Sequence, residues 1–481
     1  MDRDLTDDLL EEVLRRLPRG RRPSFAASTA GDVSLVSKRW LRLYRSTTSA
    51  LSLRLPHGNS TPYALFSLLS HFPNISSLSL TVDDSHRLSF PPDQILIYVA
   101  LSCRKLTHLS LQTLPPYPVS RSSLLSLSTS CPHLTSLHVA VSTPCSFHWL
   151  LSFHNLKHLS TILTSFRQVS EPVCAAASEG EFDGQLELET LSVSRTLPVG
   201  DYDLDSLWKS CKKLKKLHLD TCRFDTSASS FVNCLKGLQE VELLHYKPAL
   251  DIILPKLVEN GASLSSLLVE HYGNEPDNGT GLLHFITHSG CHLRKLGVRL
   301  PPNGRTAELL RAVAENCTGL SSLGIRCYSR KSGGELKAMM LDMTSELEEL
   351  TLVECELQPG LVTILGQKFR NLRCLDLSWG LNVADEELTS MLASFNCLRE
   401  LKLRGRYGWT KSNDAFVVSM SESCKQLEIL DIIGCSGIKA ESVELFIMNC
   451  PRLRRIHVEE RKLSDVSKRW ASKKLVEVFH R

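Results

Sequence analysis

Sixteen cysteines and seventeen histidines are the residues of this chain that could carry chemistry, through a thiolate, a bound metal or a proton relay. Their spacing argues against all three. No C-x-x-C pair occurs, so the usual zinc and dithiol patterns are missing. H-E-x-x-H, G-x-x-x-x-G-K-[ST] and a strand-to-helix G-x-G-x-x-G are missing too. Cys103, Cys131, Cys211, Cys317, Cys424 and Cys450 instead each stand three residues before the same kind of leucine. Cys222, Cys355 and Cys435 each stand three residues after a matching apolar residue. Such places ask for a small, buried side chain with a weak S–H donor. The histidines are scattered, many beside leucines (His108, His138, His158, His218). What remains is recognition chemistry. Arg326-Cys-Tyr328, Ser378-Trp379-Gly380 and Lys402-Leu-Arg404-Gly-Arg406-Tyr407-Gly-Trp409 combine arginine with aromatic rings, the types enriched at binding hot spots. Arg326, Tyr328, Trp379, Lys402, Arg404, Arg406, Tyr407 and Trp409 are therefore the candidate cargo-binding residues. No catalytic, metal or cofactor-binding residue is expected.

The elements that position these side chains follow from one phrase, L-x-x-L-x-L, which returns about fifteen times. Its middle apolar residue runs from Leu78 through Leu109, Leu137 and so on to Ile456, in steps of 22 to 32 residues. That phrase at that period marks an α/β leucine-rich-repeat solenoid, a horseshoe of short strands each returned by a helix. No unit has a core until its neighbours stack on it. In Cys424-Lys-Gln-Leu427-Glu-Ile-Leu430-Asp-Ile432-Ile-Gly-Cys435, Leu430 and Ile432 alternate with polar positions as a half-buried strand requires. Ile438, Val443 and Phe446 then recur at helical spacing and are predicted to cover that strand. Residues flanking the inward leucines should form the concave face, polar in early repeats and charged in late ones. The loops after the strands leave along one rim, and the arginine–aromatic clusters sit there.

Bulk properties narrow the class. With 42% hydrophobic residues the chain buries a large core, and a net charge of +4 gives no electrostatic case for nucleic-acid binding. No run of 18 apolar residues exists, so no membrane span is expected. The start, Met1-Asp2-Arg3-Asp4, is acidic where a secretory signal is basic, which points to cytoplasm or nucleus.

Residues 1–50 differ in kind. Leu5, Leu9, Val13 and Leu17, with Leu10 and Leu14, form one helical stripe that Pro18 ends. A second short amphipathic helix is predicted over Gly31-Asp-Val-Ser34-Leu35-Val36-Ser-Lys-Arg-Trp40. Two such helices are too small for a core of their own. They either cap the first repeat or offer an apolar face to a partner.

A Leu/Val helix ending in Leu-Pro, then Leu-Val-Ser-Lys-Arg-Trp, resembles an F-box, most closely the plant type. The repeats, with cysteines at both ends of the phrase, resemble the cysteine-containing class of leucine-rich repeat. Together the two resemblances cover nearly the whole chain. Its departures are Leu5-Thr6 in place of the usual Leu-Pro opening and a long gap from Leu17 to Val36. The resemblance implies a non-catalytic substrate receptor of an SCF ubiquitin ligase. It implies that Leu5, Leu9, Val13, Leu17, Pro18, Leu35, Val36 and Trp40 dock on a Skp-type adaptor, and through it on a cullin, while the solenoid (51–460) holds an unknown protein substrate. Residues 461–481 would be a terminal cap. Two alternatives stay open: a hormone receptor with loops such as Ser170–Gly184 and His271–Gly279 folding over the face, and a repeat scaffold without an adaptor.

Overall fold

The computed structural model describes residues 6–16, 37–55, 61–83, 92–142, 147–164, 184–195, 205–220, 236–244, 250–270, 279–300, 305–327, 333–344, 346–380, 387, 390, 394–405, 414–435 and 437–480. They fall into two compact units, Met1–Leu238 and Gln239–Arg481.

The first unit carries β1 (Ala50–Leu55), β2 (Ser77–Asp83), β3 (His108–Leu114), β4 (Ser136–Ser142), β5 (His158–Thr164), β6 (Thr190–Arg195) and β7 (Lys216–Asp220). All pair in parallel with their sequence neighbours, and the register aligns Leu51, Leu78, Leu109, Leu137, Leu159, Leu191 and Leu217 in one row. The second unit carries β8 (Glu240–Leu244), β9 (Ser266–Glu270), β10 (Lys295–Arg299), β11 (Ser322–Arg326), β12 (Glu349–Val353), β13 (Cys374–Asp376), β14 (Glu400–Lys402), β15 (Ile429–Asp431), β16 (Arg455–Val458) and β17 (Glu477–His480). It has the same parallel order, with Val241, Leu267, Leu296, Leu323, Leu350, Leu375, Leu401, Leu430, Ile456 and Val478 in register. Each unit is thus an α/β leucine-rich-repeat stack.

The inward leucines make the core because a period of two puts every second side chain on one face. Burial alternates accordingly, as in β7, where Leu217 and Leu219 are buried and Lys216, His218 and Asp220 are not. Each such leucine contributes roughly 1.5–3 kcal/mol. At most strand entries one carbonyl accepts two successive amides: Thr107 N–H and His108 N–H both donate to the Ser76 oxygen, at 2.8 and 2.9 Å. This keeps the leading Leu of each phrase turned inward. Return helices close the other side, and Val443 and Phe446 are buried in the helix Ala440–Asn449 as their spacing predicts. Where the step is shortest, from Leu137 to Leu159, the return shrinks to the 3-10 turn Phe147–Ser152.

Two strands were not in the phrase count. β1 has Thr48, buried, where the leading leucine should stand. β17 follows Leu475, which is exposed and left-handed, with Val476 taking the buried place. After β16 the chain thus adds a 3-10 turn (Glu460–Lys462), a helix (Asp465–Lys474) and this last strand.

Ahead of β1 lie α1 (Asp7–Arg16) and α2 (Lys38–Thr47). Asp7 and Asp8 meet the positive end of the dipole at the start of α1 favourably, and the Ser37 side chain caps α2 by accepting from Trp40 N–H at 3.2 Å. Among the described residues no helix is long and apolar enough to cross a membrane.

Candidate interaction surface

The head builds its own small core. Leu10, Leu14 and Leu43 are buried together, with Trp40 and Tyr44 packed against them. Arg39 ties the two helices by donating from Nε to Asp7 at 2.7 Å. The predicted stripe therefore divides: Leu10 and Leu14 turn inward, whereas Leu9 is 55% exposed. Trp40 is half-buried on the inner cluster, so its indole holds α2 to α1 as well as presenting an edge to solvent. Leu5, Leu17, Pro18, Leu35 and Val36, and the Val13 side chain, lie outside the described residues.

On the repeat face of the first unit, the outward middle row reads Ser52, Ser79, Ser110, His138, Ser160, Ser192 and His218. Two imidazoles pair with hydroxyls of the next strand, although the buried His138 Nε2 has no partner among the described residues. His138 Nδ1 meets Ser160 Oγ at 2.7 Å, and His158 Nδ1 meets Thr190 Oγ1 at 3.0 Å. Burial lowers the pKa of His138, so the ring is held neutral.

The second unit's face is ionic. The Arg326 guanidinium reaches from β11 across β10 to Glu270 on β9, at 2.9 Å. Three strands further on, Lys402 meets Glu400 at 2.7 Å. Burial alone would lower the Lys402 pKa, but the Glu400 hydrogen bond and the Asp376 and Asp431 charges raise it overall. Arg404 donates to Asp431 Oδ2 through Nε and Nη2, each at 2.7 Å. Asp431, expected on the solvent face, is 1% exposed because the Arg404 side chain lies over it. Ser378, also expected to face outward, is buried, and its Oγ accepts from Arg404 N–H at 3.3 Å.

Trp379 joins this cluster through its backbone. Its φ of +60 is left-handed, and its N–H donates to the Arg404 oxygen at 2.6 Å. Glu354 and Gly434 have the same φ sign at the equivalent place after β12 and β15. This turn extends the ladder one residue past the strand: Glu354 N–H donates to Ser378 at 3.1 Å. A tryptophan there carries strain that a glycine would avoid. Of the predicted cargo residues, then, Trp379 just after β13 comes beside Lys402 at the end of β14 and Arg404 just after it, while Arg326 belongs to a separate group on β9–β11. Tyr328, Arg406, Tyr407 and Trp409 lie outside the described residues.

The repeat-locked cysteines are structural in their surroundings. Cys131, Cys317 and Cys450 stand at helix C-caps. Thiols donate to carbonyls of the adjoining repeat, Cys131 to Cys103 at 3.4 Å and Cys435 to Leu403 at 2.7 Å. Burial pushes Cys103, Cys317, Cys424 and Cys435 up to about 12, and Cys131 and Cys450 up to about 11. Such thiols stay protonated and unreactive near neutral pH. Among the described residues no group of three or more His, Cys, Asp or Glu side chains could hold a metal ion.

No family model matches the chain. Three solved structures show what it is similar to. The yeast Rad7–Elc1 complex aligns with 99% of this chain and 93% of its own, at 14% identity and a TM-score of 0.40. The TLR13–ssRNA13 complex aligns over 91% of this chain and 62% of its own, at 16% identity and a TM-score of 0.33. An internalin from Listeria monocytogenes aligns over 94% of each, at 12% identity and a TM-score of 0.25.

Proposed function

We propose that this chain is the substrate-recognition subunit of an SCF-type ubiquitin ligase, of the F-box and leucine-rich-repeat kind. The observation that carries the reading is the head. Two short helices with a core of three buried leucines stand ahead of β1 and keep Leu9 exposed, and the second carries Lys38-Arg39-Trp40, the end of the Ser34–Trp40 wording. An exposed leucine beside a fixed helix pair is what helix-to-groove docking on a Skp-type adaptor uses. The adaptor links the chain to a cullin, and the second unit's face, with Trp379, Lys402 and Arg404, receives the protein cargo. The chain itself supplies position rather than bond chemistry. Tethering raises the effective concentration of cargo lysines near the conjugating enzyme, which acts in nucleus or cytoplasm.

The test is capture of purified Skp-type adaptor by the full chain, beside Leu9→Asp and Trp40→Ala. Leu9 is outside the head's core, so Leu9→Asp should leave hydrogen exchange of the strands unchanged and weaken capture at least about tenfold. Trp40→Ala should weaken capture and also loosen α1 and α2. If the unaltered chain captures no adaptor above background, the reading fails.

A further inference from the structure

Across β9–β12 the outward middle row reads Leu268, Gly297, Gly324, Thr351. Glycine inside a strand weakens it and often marks a place where another backbone or a ligand comes close. Neither glycine is needed for its backbone shape, since neither has a positive φ. Nor does packing demand Gly324: an added Cβ would meet nothing nearer than Gly297 Cα, at 3.6 Å. At Gly297 the added atom would lie 2.2 Å from Leu268 Cδ1, so the leucine lies flat across this glycine. Gly297 is buried beneath that side chain, so the result is a shallow apolar floor made of the Leu268 side chain and the bare Gly324 backbone.

Two polar rims border it. On one side Arg326 pairs with Glu270, at 2.9 Å. On the other the Ser322 hydroxyl donates to Glu349 Oε2 at 2.8 Å. With strands about 4.8 Å apart and alternate residues roughly 6.7 Å apart, the floor admits one large side chain. It is open above, whereas pockets for small molecules enclose most of their ligand. The rims offer carboxylate acceptors and a guanidinium donor, which complement the N–H and C=O groups of a peptide backbone. The Trp379–Lys402–Arg404 group begins one strand beyond Thr351 on the same face.

We propose that Leu268, lying flat over Gly297, and the open backbone of Gly324 form a subsite for one leucine or aromatic side chain of an extended cargo polypeptide, its backbone crossing the strands between the two rims. This rests on the reading of the repeat face as a cargo surface and is independent of the adaptor.

The probe is a phage-displayed library of random nonapeptides selected on the full chain, on Gly324→Val, on the milder Gly324→Ala, and on Gly334→Ala as a control with equally open space. The unaltered chain and Gly334→Ala should enrich Leu, Phe or Trp at one peptide position by roughly tenfold or more. Gly324→Val should lose that enrichment and Gly324→Ala should reduce it, with neither lowering the melting temperature. Enrichment that survives Gly324→Val overturns the subsite and leaves the receptor reading intact. A selection without any apolar position overturns it as well, even if the adaptor is captured. Enrichment with no adaptor capture would sustain the subsite and remove the ligase.

Discussion

The two units use the same strand, register and buried leucine row, yet their outward rows differ in charge: the first carries serines and histidines, and the second adds Asp376, Lys402 and Asp431. Ser110, His138, Ser160 and Ser192 in the first unit are matched by Thr351, Asp376, Lys402 and Asp431 in the second. The first row holds a neutral hydrogen bond between His138 and Ser160, whereas the second holds the Arg404–Asp431 and Lys402–Glu400 ion pairs and is interrupted at Gly297 and Gly324. The fold needs one side of each strand and leaves the other free, so recognition chemistry varies without touching the core.

The largest effect tests the shared part. Leu109→Ala in the first unit and Leu350→Ala in the second should each cost about 3–5 kcal/mol in local opening, read by hydrogen exchange at β3 and β12. A difference well beyond the usual spread would mean that the units are not built alike. Next come the faces. Arg404→Ala leaves the buried Asp431 carboxylate without its guanidinium and should cost about 1–2 kcal/mol, since the Arg404 side chain stays 39% exposed. Part of that cost should disappear at 0.5 M salt. Ser160→Ala, which removes a neutral partner of His138, should cost about 0.5–1.5 kcal/mol at either salt concentration. Equal salt dependence for the two variants would break the contrast.

The smallest effect concerns pH. Burial lowers the pKa of His138, so below the ordinary value of 6.5 the unfolded chain binds more protons than the folded one. Its contribution is therefore present above that pH and is lost as pH falls toward the folded pKa. His457 is also lowered by burial, but Asp431 raises it and Arg404, Arg455 and Lys402 lower it. NMR titration of both rings should show His457 responding to added salt and His138 indifferent to it. His138→Gln should flatten the stability profile between pH 7 and pH 5.

The core was legible from sequence because a leucine every strand and a return every 22 to 32 residues leave one architecture. Its ends were not, since Thr48 and Val476 fill leucine places with other residues. The face was legible by position and poorly by state. Asp431 falls at an outward position, and its burial depends on an arginine 27 residues earlier. Arg326 pairs with a carboxylate 56 residues away, which strand register reveals and spacing along the chain does not. In the head the stripe was visible, but which leucines turn inward depends on where α2 lies.

Nearest-neighbour pairing has a consequence for synthesis. Within each unit a strand pairs only with the strands just before and after it in sequence, so no repeat waits for a distant segment. At about 5–20 residues per second a ribosome delivers a 27-residue repeat in roughly 1–5 s, long compared with strand closure. The chain can thus fold by accretion as it emerges, each new strand adding to a surface already formed. The exposed species at any moment is a single growing edge.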